Sequence, residues 1–484
     1  MKKKGRLVDM KRLIVIVFII FGAFLTFSLY RTLAYDTSVV EEVPSTTDLE
    51  YTFKIGNSSI KQITVDSGET RYYDIVLGNP NNAKISYSVY YEMVSPSTKP
   101  DDFSIGYTSK STGNSTGIVN NNGNITLNLV VTNTSSNTVT VKVGTVAGYV
   151  KGGDLTLNSG QVVIPKRVLA TEHIEEINDN SNGDSGSGVY KIEHSAIPAS
   201  SSATGSEIPA VTDYRYYGPS PNNYICLDME GGSTCPDKHL YRIIGSIYDE
   251  LEGTNRLKVI KATYLTDGTT SKFSWDVNGN IGNKWATITS GNYSNSLTSG
   301  TDLMILLNSG LWWNGTSGSY DQTKTVDFTN YKLSDKAKSY IPISRYYLGG
   351  YNTSNGVMTN QWYTYERGTL RNASNPLYWD GLVGLMYPSD FGYAAGNSCV
   401  TETSLYTYKA ECKSNNWLWM TNTEEWLMTQ NSGGSVFRMS AYGYTIFSAM
   451  ITNDYSIRPT FYLTSNTLIT NGDGSIDNPY LIGL

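Results

Sequence analysis

The sequence predicts a multidomain chain: an N-terminal transmembrane helix, an all-β sandwich, then a domain of mixed α+β character. Three observations carry this. A charge-free apolar run occupies 13–30, short alternating strands fill 51–168, and the composition changes near residue 211, beyond which lie all nine Trp and all four Cys. The length of 484 residues also exceeds what one core usually serves.

The basic leader at 1–12 carries Lys2, Lys3, Lys4, Arg6, Lys11 and Arg12. The run LIVIVFIIFGAFLTFSLY follows at 13–30 and would rise about 27 Å as a helix, close to the thickness of a bilayer's hydrocarbon layer. The positive-inside rule keeps the leader in the cytoplasm and exports the rest, giving a single-pass protein at the cell membrane with an extracellular bulk. A cleaved signal peptide ending at Thr32-Leu33-Ala34 is the rival, and it too exports the chain. Residues 31–50 read as a stalk.

Between 51 and 168 come YTFKI, KQITV, RYYDIVL, KISYSVYYEMV, ITLNLVV and TVTVKVGTV, separated by Gly, Asn, Pro and Ser clusters. Alternation without a helical period argues for an antiparallel sandwich. With no Cys, Trp or His, the segment reads as a spacer. Residues 169–210 look like a disordered linker, because NDNSNGDSGSG and SAIPASSSATGSEIPA hold little apolar surface to bury. Gly183-Asp184-Ser185-Gly186 mimics the loop of a serine nucleophile, but low-complexity sequence supplies neither a scaffold nor a base.

In 211–484, YRIIGSIYDE and RLKVIKATYL read as paired strands, and TDLMILL at 301–307, with Asp302 near its start, as a short helix. WLWM, SVFRMSA, YTIFSAMI and IRPTFYLTS read as further strands. Four cysteines allow three connectivities. Export favours oxidation, and local pairing joins Cys226 to Cys235 and Cys399 to Cys412, each clipping a loop at about 3 kcal/mol. Zinc ligation lacks CxxC spacing, and His173, His194 and His239 are scattered.

Net charge is −6 with 17% charged residues, which excludes the basic balance of a nucleic-acid binder. Polarity comes from Asn, Ser, Thr, Gly and 37 Tyr, as in secreted β-rich proteins.

The order YRIIGSIYD, WLW, SVFRMSAYGY, SIRPTFYL resembles a domain family of unknown function found in surface proteins of gut Firmicutes. GLVGLMYPSDFGYA at 381–394 and NGDGSIDNPYLIGL at 471–484 add to the likeness, which covers 211–484. It implies a C-type-lectin-like fold, similar to that of the formylglycine-generating sulfatase-modifying factors. It does not carry over their oxidase chemistry, since no cysteine follows Cys412. Nor does it carry calcium-dependent sugar binding, since the Glu-Pro-Asn, Gln-Pro-Asp and Trp-Asn-Asp strings are absent. Arg458, before Pro459, reads as a structural tie between loops.

Other constellations read as structure. Asp276-Val277-Asn278-Gly279-Asn280 starts like a calcium loop but has Ile281 at the sixth position and Thr287 at the twelfth, and so fails as an EF-hand. Asp473 and Asp477 suit a turn, and Glu424 and Glu425 point to opposite faces of one strand. The functional lead is aromatic: Trp312, Trp313, Tyr346, Tyr347, Trp379, Tyr387, Tyr393, Tyr442 and Tyr444 sit in loops rich in Gly, Asn and Ser, suited to stacking on a sugar or meeting a protein. Tyr442 and Tyr444, bracketing a glycine, are the best placed for exposure. The expectation is therefore a membrane-anchored bacterial surface protein for recognition or adhesion. It binds a glycan or another surface protein, with no enzyme activity, cofactor, metal or nucleic acid. The alternatives are an extracellular hydrolase on the same fold and a self-assembling envelope subunit.

Overall fold

The computed structural model describes residues 52–55, 62–100, 103–108, 111–133, 135–149, 155–178, 183, 186–266, 271–277, 279, 281–289, 300–310, 312–313, 320–321, 333–371, 376–431, 434–442 and 446–483. It is mostly β, 40% strand against 13% helix. Among the described residues no helix is long and apolar enough to cross a membrane. The longest, Asp302–Ser309 and Thr359–Glu366, have 8 residues each, a rise of about 12 Å against a hydrocarbon layer of about 30 Å. The expected fold class and the single-pass cell-membrane placement are corrected accordingly. Residues 13–30, with the leader and most of the stalk, lie outside the described ones.

Two compact units divide the chain, one ending at Val168 and the other running Leu169–Gly483. The first is a sandwich. Its strands are β1 (Thr52–Ile55), β2 (Gln62–Val65), β3 (Glu69–Gly78), β4 (Ile85–Ser95), β5 (Phe103–Tyr107), β6 (Thr116–Val119), β7 (Asn124–Asn133), β8 (Val139–Tyr149) and β9 (Gln161–Val163). One sheet has the order β1-β3-β7-β5; the other has β2-β8-β4-β6, with β9 against β4. Successive side chains on a strand face opposite ways, so alternate residues build one core. Tyr73, Ile75 and Leu77 of β3 meet Leu127, Leu129 and Val131 of β7, and Val139, Val141 and Val143 of β8 close the other side.

The second unit is built on a sheet running Leu468–Asn471, Tyr480–Gly483, Tyr224–Cys226, Leu240–Asp249, Val211–Tyr217, Gly188–His194. Thr254–Lys261 pairs with Leu240–Asp249 and then with Thr460–Tyr462. A second, three-stranded sheet joins Glu425–Gln430, Val436–Met439 and Ile446–Ala449. Short helices and long loops fill the remainder. Helix Asp302–Ser309 forms where the sequence placed it: the Thr301 side chain caps Met304 N–H, and Gly310, at φ 76°, ends it in the left-handed region only glycine adopts freely.

The disordered linker expected at 169–210 is also corrected. Ala170–Glu176 is a helix that buries Ala170 and Ile174. Gly188–His194 pairs in full register with Val211–Tyr217. Ile197 and Ile208 bridge to each other and are buried, and Tyr190 Oη donates to the Tyr393 carbonyl at 2.9 Å. Few apolar residues lie here, but some meet partners distant in sequence, as Tyr190 does with Tyr363, Tyr393 and Val400, which composition cannot register. Asp184 and Ser185 of the Gly-Asp-Ser-Gly run lie outside the described residues.

Candidate functional site

Two places in the second unit concentrate polar groups, one sealed and one open. The sealed one starts on the Val211–Tyr217 strand, where Asp213 and Arg215, two apart, share an inward face. Arg215 Nη2 lies 2.9 Å from Asp213 Oδ2 and its Nη1 2.8 Å from Asp390 Oδ1. Lys258, inward on its own strand, places Nζ 2.6 Å from Asp390 Oδ2. Asp390 also accepts from Tyr387 N–H at 2.9 Å, at the start of helix Pro388–Tyr393. His194 Nε2 meets Asp213 Oδ2 at 3.0 Å, and its ring stacks on Tyr363 at 3.5 Å. Beside them Glu366 accepts from Ser389 N–H at 2.9 Å and from Ser389 Oγ at 2.5 Å. The Arg367 guanidinium lies 3.6 Å over the Tyr363 ring.

Asp213, Arg215, Lys258, Asp390, Glu366 and Arg367 are all at most 3% exposed. Such groups pin loops together. Burial opposes the charge of Asp390, yet Lys258 and Arg215 hold its carboxyl below the ordinary range. Asp213 is depressed in the same way by Arg215 and His194. Burial pushes Glu366 up from 4.5 to about 7, with Arg367 and Ser389 opposing.

The signs fix a pH profile. Glu366 holds its proton in the folded chain after the unfolded one has lost it, so stability falls as pH rises from 4.5 to about 7. Holding that proton contributes on the order of 3 kcal/mol. Asp213 and Asp390 act oppositely, contributing fully above 3.8 and losing it as pH falls below. Urea unfolding across pH 3–8 is expected to peak near pH 4–5, with the neutral limb flattened in Glu366→Gln. An unchanged limb in that variant would assign the slope elsewhere.

Arg458 ties the second sheet as the sequence suggested, but chiefly to a carboxylate. Nε and Nη2 reach Glu425 Oε1 and Oε2 at 2.9 and 2.7 Å, and Nη2 also donates to the Leu418 carbonyl at 2.7 Å. Glu424, facing the other way, pairs with Arg438. Asp473 accepts from Ser475 N–H in a turn.

The open place is the loop after Tyr224–Cys226. Cys226 and Cys235 are bonded with their Cα atoms 5.9 Å apart; Cys399 and Cys412 form the second disulfide. Beyond Cys235, the turn Asp237–His239 leads into the Leu240–Asp249 strand. A cavity of ≈ 100 Å³ opens there, lined by Asp237, Lys238, Tyr241, Lys261, Tyr264, Leu265 and Thr266. Lys261 Nζ donates to the Asp237 carbonyl at 2.7 Å, and Thr263 Oγ1 to Asp237 Oδ1 at 3.1 Å. Next to it Asp228, Glu230 and His239 bring ligand atoms within 4.8 Å of one another. That set suits a metal by donor type. Its carboxylates have protein partners: the Lys238 ammonium is 2.6 Å from Glu230 Oε1, and Asp228 Oδ2 accepts from Ser334 Oγ at 2.5 Å. His239 is buried, which lowers its pKa despite Glu230, so the ring is neutral at pH 7.

The aromatic expectation needs correction. Tyr346, Tyr347, Trp379, Tyr387 and Tyr393 are core residues, none more than 5% exposed. Trp379 packs on Tyr346 and Trp285, Tyr387 Oη donates to the Tyr347 carbonyl, and Tyr393 lies edge-on to His194. Large rings stabilise by burial, and a glycine-rich surrounding lets loops close over them. Trp312 and Trp313 form a strand paired with Tyr320–Asp321, their side chains outside those described. Tyr444 also lies outside the described residues. Among the candidates whose side chains are described, Tyr442 alone meets the expectation, at 74% exposed. The buried ions were missed, although charges at alternate positions of TDYRYY and RLKVIK are a faint signal of inward-facing partners. Comparison with protein-family models, with curated proteins and with solved structures found no match.

Proposed function

We propose that the protein is an extracellular recognition protein whose second unit binds a hydroxylated ligand, a glycan, at the loop face beside the Cys226–Cys235 disulfide. The observation that carries this is the open cavity there. It combines two tyrosine rings with ammonium, carboxylate and hydroxyl groups, on a loop clipped covalently and seated on a sheet strand. Function concentrates on loops held by a rigid scaffold, and the sealed ion network makes this scaffold rigid. Two disulfides suit an oxidising, extracellular setting. Tyr442 belongs to the same group of loops. Tyr264 of the cavity lies against Arg458, Arg458 binds the Leu418 carbonyl, and that loop continues to Asn422, whose N–H meets the Ala441 carbonyl at 3.1 Å.

The full oxidised chain on a glycan array tests the reading. Selective binding is expected, reduced tenfold or more by Lys238→Ala, at a half-buried position, and by Tyr442→Ala, at an exposed one, with little effect on thermal midpoint. Binding that both variants leave intact would move the site elsewhere. Capture of proteins with no glycan bound would replace the ligand class.

A further inference from the structure

The sequence argues against zinc, because its cysteines lack CxxC spacing and its histidines are scattered. Folding nevertheless brings one of those histidines to two acids. Leu227 N–H donates to the His239 carbonyl at 3.0 Å, which lays the start of the 227–235 loop beside the end of the Asp237–His239 turn. The Cys226–Cys235 disulfide closes the same loop. Asp228, Glu230 and His239 then hold ligand atoms within 4.8 Å of one another.

The donors are fixed by the protein itself. Asp228 Oδ1 accepts from Glu230 N–H at 3.0 Å and Oδ2 from Ser334 Oγ at 2.5 Å. Bonds of this kind orient a carboxylate and leave further lone pairs on both oxygens. His239 is completely buried, and its ring makes one hydrogen bond among the described residues, from Nε2 to Glu230 Oε1 at 3.1 Å; Nδ1 has none. Two donors on one tetrahedral zinc stand about 3.3 Å apart, so the imidazole and the carboxylate already have that spacing. Lys238 is the cation now beside Glu230, and both side chains of that pair are more than a third exposed. A pair so placed contributes little and yields to a dication. The adjoining cavity, which Lys238 helps line, opens the place to solvent.

We propose that Asp228, Glu230 and His239 bind a divalent cation of the zinc class, which ties the disulfide-closed loop to the start of the Leu240–Asp249 strand. One imidazole with two carboxylates suits zinc better than calcium, which takes six to eight oxygens. Both cysteines of the loop are bonded to each other, so sulfur takes no part. The site does not rest on the glycan reading, since zinc binding is measured without any sugar.

The full oxidised chain, free of any affinity tag and stripped with chelator, is titrated with zinc chloride by calorimetry. One equivalent is expected to bind, raising the thermal midpoint by roughly 3–6 °C at a hundredfold excess over Kd. Glu230→Gln, at an exposed position where folding is kept, is expected to weaken binding tenfold or more, and His239→Gln to abolish it. Lys238→Ala releases Glu230 and is expected to tighten zinc binding severalfold. The glycan reading has the same substitution weaken its ligand, so the two readings fail separately. Absence of zinc binding would overturn the proposal. So would an affinity unchanged in both Glu230→Gln and Asp228→Asn, the mark of an ion bound elsewhere. Calcium bound more tightly than zinc would overturn the class of ion.

Discussion

Asp390→Ala is expected to lower the free energy of unfolding by about 5 kcal/mol, the largest loss from a single side chain in the second unit. The variant strands two cations at once. Arg215 loses one of its two carboxylate partners, and Lys258, 1% exposed, loses its only ion-pair partner among the described residues. A buried charge left alone costs more than the pair contributed, because desolvation is already complete. The cap on Tyr387 N–H goes too, adding about 1 kcal/mol. Urea unfolding read by tryptophan fluorescence measures this. The double variant Lys258→Met, Asp390→Leu separates the causes, because it leaves Arg215 on its second partner, Asp213. Removing both charges is expected to recover most of the loss, whereas a defect of shape would persist. A loss below about 1 kcal/mol in the single variant would mean water reaches these groups.

Arg458→Ala is expected to cost about 3–5 kcal/mol and lower the thermal midpoint by roughly 10 °C. The guanidinium satisfies both oxygens of Glu425, itself fully buried, together with the Leu418 carbonyl. Its loss leaves an ionised carboxylate and a carbonyl in the core, between the loop after Leu418 and the second sheet. Arg458→Lys restores charge but not the planar fork, and about half the loss should remain. Adding Glu425→Gln to Arg458→Ala should return 1–3 kcal/mol, because the stranded charge is then gone. A midpoint unchanged in Arg458→Ala would show that the tie carries no stability.

The sequence by itself determined what depends on neighbours along the chain. The sandwich of the first unit was legible because a strand's side chains alternate with period two, and RYYDIVL or TVTVKVGTV states that alternation directly. The helix at 302–309 was legible from the apolar spacing of TDLMILL, with Asp302 near its start. The disulfides followed from the nearness of each cysteine to its partner. The tertiary structure alone decided what depends on distant partners. Asp390 meets Arg215 across 175 residues and Lys258 across 132, and no local pattern marks a charge as buried rather than solvated. The same limit turned tyrosines and tryptophans in glycine-rich loops from surface candidates into core. It also hid the order in 169–210, where a handful of apolar residues bury themselves against strands and helices far along the chain. Burial is a property of the assembled fold, because it is set by which surfaces exclude water together, and a local sequence records only half of each such contact.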